Sequence, residues 1–145
     1  MRVVLQRVSR GAVIVDDQTI AQIGLGLVIL LGVGPEDGAG QIEYLVKKIA
    51  NLRIFEDDAG KINRSVLDMK GEALVVSQFT LYADTRKGRR PSFVGAAPPD
   101  IASPLVDQFA ELLAQEGVPT QTGEFGAHMQ VEIHNDGPVT IWMER

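Results

Sequence analysis

Apolar and polar positions alternate from the start of the chain: Val4, Gln6 and Val8 fall on one side, Leu5, Arg7 and Ser9 on the other. This period of two predicts a strand. It continues through Ala12-Val13-Ile14-Val15 to a turn at Asp16-Asp17, and Thr19 to Ile23 reads as the returning strand. Gly24-Leu25-Gly26 then leads into the wholly apolar run Leu27-Val28-Ile29-Leu30-Leu31, a buried strand broken by Gly32-Val33-Gly34-Pro35. Beyond it the period changes. Ile42, Leu45, Val46, Ile49 and Leu52 recur at helical spacing with Glu43, Lys47 and Lys48 opposite. Asp37 is placed to cap that helix or to sit just before it.

The second half repeats the vocabulary. Arg53-Ile54-Phe55 is extended, Glu56 to Gly60 turns, and Ala73-Leu74-Val75-Val76 is a second buried strand. It is predicted to run on through Ser77-Gln78-Phe79-Thr80-Leu81-Tyr82, with Ser77 and Phe79 on one face and Gln78 and Thr80 on the other. Ser103-Pro104 is the predicted start of a second helix, serine capping and proline filling the first position. Leu105, Val106, Phe109, Leu112 and Leu113 form its stripe, and Gly117 and Pro119 end it. Met129, Val131 and Ile133 alternate with Gln130, Glu132 and His134, and Asn135-Asp136-Gly137-Pro138 is a predicted turn into a strand from Val139 to Met143. The expected fold is α/β: mixed β-sheets covered by two main helices, in a single compact domain over residues 1–145.

Composition narrows the class. The chain has 145 residues, 45% hydrophobic and 23% charged, which suits one globular core and excludes disordered and collagen-like chains. It has no cysteine, which excludes a disulfide scaffold, a thiolate metal site and a cysteine nucleophile. The longest apolar stretch, Leu25 to Val33, is far short of the ~20 residues that cross a bilayer. Met1 to Arg7 lacks the features of a secretory signal, so a soluble cytoplasmic protein is expected, with no membrane partner. The net charge of −5 argues against general nucleic-acid binding. Charge is unevenly spread, however: between Asp84 and Phe93 the cations Arg86, Lys87, Arg89 and Arg90 face one acid, Asp84. A solvated basic loop and a phosphate-contacting loop both fit that cluster.

Several candidate sites fail on spacing. Glycines 24, 26, 32 and 34 match neither G-x-G-x-x-G nor a G-K-[ST] ending and read as turn glycines. His128 and His134 lack convergent acidic ligands, so no metal and no cofactor is expected. Asn63-Arg64-Ser65 matches a glycosylation acceptor but has no secretory context. Ser77 is not in a G-x-S-x-G elbow, which argues against a Ser-His-Asp hydrolase.

Ser77-Gln78-Phe79-Thr80-Leu81 and Asn135-Asp136-Gly137-Pro138-Val139-Thr140 closely resemble the two signature motifs of D-aminoacyl-tRNA deacylases. Gln6-Arg7-Val8, Leu30-Leu31-Gly32-Val33, Arg53-Ile54-Phe55, Arg90-Pro91-Ser92-Phe93, Gln121-Thr122-Gly123 and Gly126-Ala127-x-Met129-Gln130-Val131 are similar to that family in the expected order, so the likeness spans the chain. It implies a homodimeric enzyme that hydrolyses the ester between a D-amino acid, or mischarged glycine, and the 3′ end of tRNA. By the same resemblance Gly137-Pro138 is a cis peptide reaching into the partner subunit's site, where it selects the D configuration, and Arg7 supports it. Ser77, Gln78, Phe79 and Thr80 line the catalytic pocket, with Phe125 and Met129 nearby. Arg86, Lys87, Arg89 and Arg90 are the candidate tRNA contacts.

Two catalytic routes stay open: attack by the Thr80 hydroxyl, or attack by water assisted by the terminal ribose 2′-hydroxyl, with N–H groups near Phe79 and Thr80 stabilising the oxyanion. Two other functions also fit the residues. One is a non-catalytic tRNA-binding or editing-accessory module, the other a non-stereoselective small esterase.

Overall fold

The computed structural model describes all 145 residues. Its spine is β1 (Arg2–Val15), which pairs antiparallel with β2 (Gln18–Ile23) through Gly11 to Val15 and with β3 (Gly26–Gly32) through Arg2 to Val8. Asp16 and Asp17 both have positive φ, 48° and 60°, the left-handed pair that a tight two-residue hairpin needs. α1 (Ala39–Ala50) and a small two-stranded sheet, β4 (Phe55–Glu56) with β5 (Ile62–Arg64), precede β6 (Glu72–Ser77), which lies parallel to β3. A short 3-10 helix (Phe79–Tyr82) and α2 (Pro99–Gln115) lead to β7 (Thr120–Thr122), parallel to β6. β8 (Gln130–Glu144) returns along the other edge of β1, giving a mixed sheet of order β2-β1-β3-β6-β7 with β8 beside β1. The expected mixed sheet under two main helices is the one observed. Neither helix is long and apolar enough to cross a membrane.

Each face of the sheet has its own core. Val3, Leu5, Ile29, Leu31 and Val75 pack under Ile42, Leu45 and Ile49 of α1 and Phe109 and Leu113 of α2. Burying each such side chain contributes roughly 1.5–3 kcal/mol. On the opposite face Val28, Leu74 and Val76 meet Val8 and Val13 of β1 and Ala21 and Ile23 of β2. Alternate residues of β3 and β6 thus serve different cores, and the sheet curls over itself. Gly11 permits the curl, because a Cβ there would sit 2.6 Å from Val28 Cγ2. The curl brings the outer strands together: the Gln121 side chain accepts from the Gln22 N–H (3.0 Å) and donates to the Gln22 carbonyl (2.6 Å).

The structure corrects four local expectations and decides between two alternatives in a fifth. α2 begins at Pro99, not at Ser103-Pro104. Pro104 lies inside it without an N–H to offer the Asp100 carbonyl, and both residues are exposed. Of the two places open to Asp37 it takes the one just before α1, where Gly38 is the capping residue and its N–H is met by Gln41 Oε1 at 3.1 Å. Glycines 26, 32 and 34 give close approach more than turning: a Cβ on Gly26 would lie 1.9 Å from the Glu72 carbonyl oxygen, and one on Gly34 2.7 Å from Tyr82 Oη. The strand ends at Ser77 instead of continuing to Tyr82. Finally, Asn135 to Pro138 does not reverse the chain, since β8 continues along β1 on both sides of it.

Candidate functional site

β6 delivers Ser77 to the end of the sheet, where the Gln78 N–H makes a last bond to the Leu31 carbonyl at 2.8 Å. The chain then tightens into the 3-10 helix, and Ser77, Gln78 and Phe79 all line one cavity of about 420 Å³. Nine of its fourteen lining residues are hydrophobic, including Phe93, Phe125 and Val106, the apolar character usual for small-ligand pockets. Phe79 and Phe93 meet edge to face at its mouth, centroids 5.0 Å apart. The first N–H groups of a helical turn have no partner within it. Leu81 N–H donates to Gln78 and Ala83 N–H to Thr80, so the N–H groups heading the turn are those of Phe79 and Thr80. The Thr80 hydroxyl accepts a hydrogen bond from the Gln78 side-chain amide. Thr80 itself does not line the cavity, nor do Arg7, Met129, Gly137 and Pro138. Met129 packs instead against the smaller core.

The second motif is a bulge. Gln6 pairs with Thr140 and Val8 with Asn135, so Asp136 to Val139 loop out opposite Arg7 alone. The Gly137-Pro138 bond is cis, and Gly137 has φ +120°, where a Cβ would meet Arg7 Nη2 at 2.7 Å. Arg7, 5% exposed, braces this loop. Its Nε donates to the Asp136 carbonyl (3.3 Å) and pairs with Asp136 Oδ2 (3.1 Å), while Nη1 donates to the Ile54 carbonyl (2.6 Å). Asn135 Nδ2 closes the neck with 3.0 Å bonds to the Arg7 and Val139 carbonyls. Gly137 and Pro138 are exposed.

The basic segment is a loop pinned by an antiparallel bridge between Asp84 and Ser92, with bonds of 2.8 and 3.0 Å. Its four cations are not equivalent. Arg86 forks onto Asp84 (Nε to Oδ1 2.9 Å, Nη2 to Oδ2 2.7 Å), and these bonds hold the Asp84 carboxyl well below the usual carboxylate range. Lys87, Arg89 and Arg90 are exposed and form no ion pair. Phe93 follows the bridge directly, so the loop stems from the cavity rim.

The sequence reading did not single out Phe93, Pro98, Pro99, Ala102 or Val106 as pocket residues. Their one visible signal was an aromatic residue beside a run of cations. His128 and His134 join no cluster able to hold a metal ion.

The sequence model of the D-Tyr-tRNA(Tyr) deacylase family matches residues 4–144. A D-aminoacyl-tRNA deacylase of Thermomicrobium roseum is 62% identical over 144 residues, covering 99% of this chain and 94% of that protein. One from Limosilactobacillus reuteri is 53% identical over the whole length of both. Among solved structures, the c-Myc DNA Unwinding Element Binding Protein superposes with a TM-score of 0.93 at 44% identity, covering 100% of this chain and 99% of that one.

Proposed function

The chain belongs to the D-Tyr-tRNA(Tyr) deacylase family, and from that premise we propose how its two motifs divide the work of hydrolysing D-aminoacyl-tRNA. The enzyme is an ester hydrolase: water adds to the aminoacyl carbonyl, the bond to the terminal ribose oxygen breaks, and that oxygen takes a proton. The ester and terminal adenosine occupy the cavity at Ser77, Gln78 and Phe79. The N–H groups of Phe79 and Thr80 receive the developing oxyanion, a contribution worth roughly 10²–10³-fold per donor. Thr80 shapes the segment and does not attack. Its oxygen is engaged by the Gln78 amide, and no histidine lines the cavity to take its proton. The ribose 2′-hydroxyl assists the water.

Handedness is read by the Gly137-Pro138 main chain of a second copy. Its carbonyls accept the substrate ammonium group and leave no room where an L side chain projects, so the wrong enantiomer is rejected by a clash. Glycine, with no side chain, passes this filter. The observation that carries the reading is placement: the Arg7-braced bulge is exposed and absent from its own chain's cavity, so it is free to enter another's. Support for a homodimer comes from the outer face of the sheet, where register puts Trp142, 57% exposed, beside Val4 and Leu30. Lys87, Arg89 and Arg90 contact tRNA phosphates, and the protein acts in the cytoplasm.

Release of amino acid from matched D- and L-tyrosyl-tRNA tests this. Release from the D substrate alone is expected. Equal release of both would mark a non-stereoselective esterase, and release of neither a nucleic-acid-binding module, the second reading that the DNA-binding name of the structural relative favours.

A further inference from the structure

No side chain of the 3-10 helix that carries Phe79 and Thr80 is fully buried, Leu81 and Tyr82 being half-buried, so core packing alone does not fix its orientation. Its far end is held instead by polar groups from two other parts of the chain. The Tyr82 ring lies under the Arg2 guanidinium, 4.4 Å from centroid to Cζ, and its Oη donates to Asp37 Oδ2 at 3.2 Å. Burial, then the nearby Asp37 charge, pushes the Tyr82 hydroxyl up to about 12, so it stays a donor at any working pH. Asp37 is held in turn by the Gly34 N–H (2.6 Å) and the Met1 amino group (2.5 Å). Arg2 Nη1 also donates to the Leu81 carbonyl at 3.0 Å, while its Nε pairs with Glu144 at 2.7 Å. Two glycines leave space for the clamp. A Cβ on Gly32 would approach the Gln78 carbonyl oxygen to 3.0 Å, and one on Gly34 would approach Tyr82 Oη to 2.7 Å.

We propose that Tyr82, clamped between Arg2 and Asp37, is a positioning residue that aims the Phe79 and Thr80 N–H groups at the reacting carbonyl. The inference rests on the reading of Ser77 to Thr80 as the ester-binding segment. A clamp at the far end of a short helix sets the direction of the N–H groups at its head without touching substrate. Its loss therefore lowers kcat and spares KM, because donor aim matters most when charge develops on the carbonyl oxygen.

The test is steady-state deacylation of D-tyrosyl-tRNA by the full-length protein, with melting curves for each variant. Tyr82→Phe removes only the bond to Asp37 and is expected to lower kcat about tenfold with KM unchanged within about twofold. Tyr82→Leu, which also removes the ring under Arg2, is expected to lose more. Gly34→Ala is expected to reduce kcat in the wild-type background and to add little to Tyr82→Leu, a coupling that marks one shared contact. Wild-type kcat in folded Tyr82→Phe and Tyr82→Leu would overturn the proposal, as would losses that merely follow the unfolded fraction at the assay temperature. A wild-type protein that releases no D-tyrosine would instead overturn the site reading beneath it.

Discussion

Replacing Arg7 by methionine should cost about 1–4 kcal/mol of stability, with most of the loss arising at Ile54. Arg7 Nη1 is 2.6 Å from the Ile54 carbonyl, and Ile54 is only 7% exposed. Methionine fills similar volume but donates nothing, so a buried acceptor is left unpaired at a cost of about 1–3 kcal/mol. The Asp136 pair adds less. That carboxylate is 49% exposed and rehydrates when the guanidinium leaves, so the pair contributes at most about 1 kcal/mol. For a chain of this size the sum corresponds to a fall in Tm of roughly 3–15 °C. Arg7→Lys should recover little, because a single ammonium cannot reach Ile54 and Asp136 together. Calorimetry at one fixed protein concentration is the assay, since any association would make Tm concentration-dependent. A Tm within about 2 °C of wild type for Arg7→Met would refute the claim that this side chain is the brace of the bulge.

Three further outcomes are expected. Thr80→Val should turn over D-tyrosyl-tRNA within about threefold of wild type in a single-turnover assay; a loss beyond about a thousandfold with binding intact would make the hydroxyl the nucleophile. Alanine at Lys87, Arg89 and Arg90 together should weaken tRNA binding and lower its log–log salt slope by about 2–3, while the neutral exchange Asp84→Ala with Arg86→Ala leaves the slope unchanged; identical slopes in all three proteins would move the tRNA elsewhere. Asp57 is held below the usual carboxylate range by the N–H of Lys61, then those of Ala59 and the Asn63 side chain. Its contribution is therefore present above the unfolded carboxylate pKa and lost as pH falls through the lowered folded value. The urea midpoints of wild type and Asp57→Asn should converge as pH falls, and a gap that stays constant from neutral pH into strong acid would contradict this.

What the sequence disclosed depended on whether the cause was local. The hairpin at Asp16-Asp17 and both apolar helix stripes were legible, since turn chemistry and a 3.6-residue period lie within a few neighbouring residues. β5 and β7, at three residues each, are too short to show a period. The break after Ser77 is set from a distance: Gly32 and Gly34, on the adjoining strand and just beyond it, open the space into which Leu81 and Tyr82 fold. Nothing between Ser77 and Tyr82 announces that. Asn135 to Pro138 has the composition of a turn, and only its pairing against β1 makes it an outward loop. The site followed the same rule. Its motifs were recognisable as residue types, but the wall from Phe93 to Val106 is ordinary apolar sequence until α2 docks.

The curled sheet also governs its own growth. Strand edges normally remain open to any passing extended chain, and each added strand exposes a new edge. Here the edges of β2 and β7 are joined through the Gln121 amide, whose donor and acceptor occupy the Gln22 backbone groups as a peptide unit would. Recruitment by strand addition is thereby steered away from those two edges and toward β8, which pairs on one side only. A lone carboxamide thus does the work of a ninth strand, and helps decide where uncontrolled polymerisation could begin.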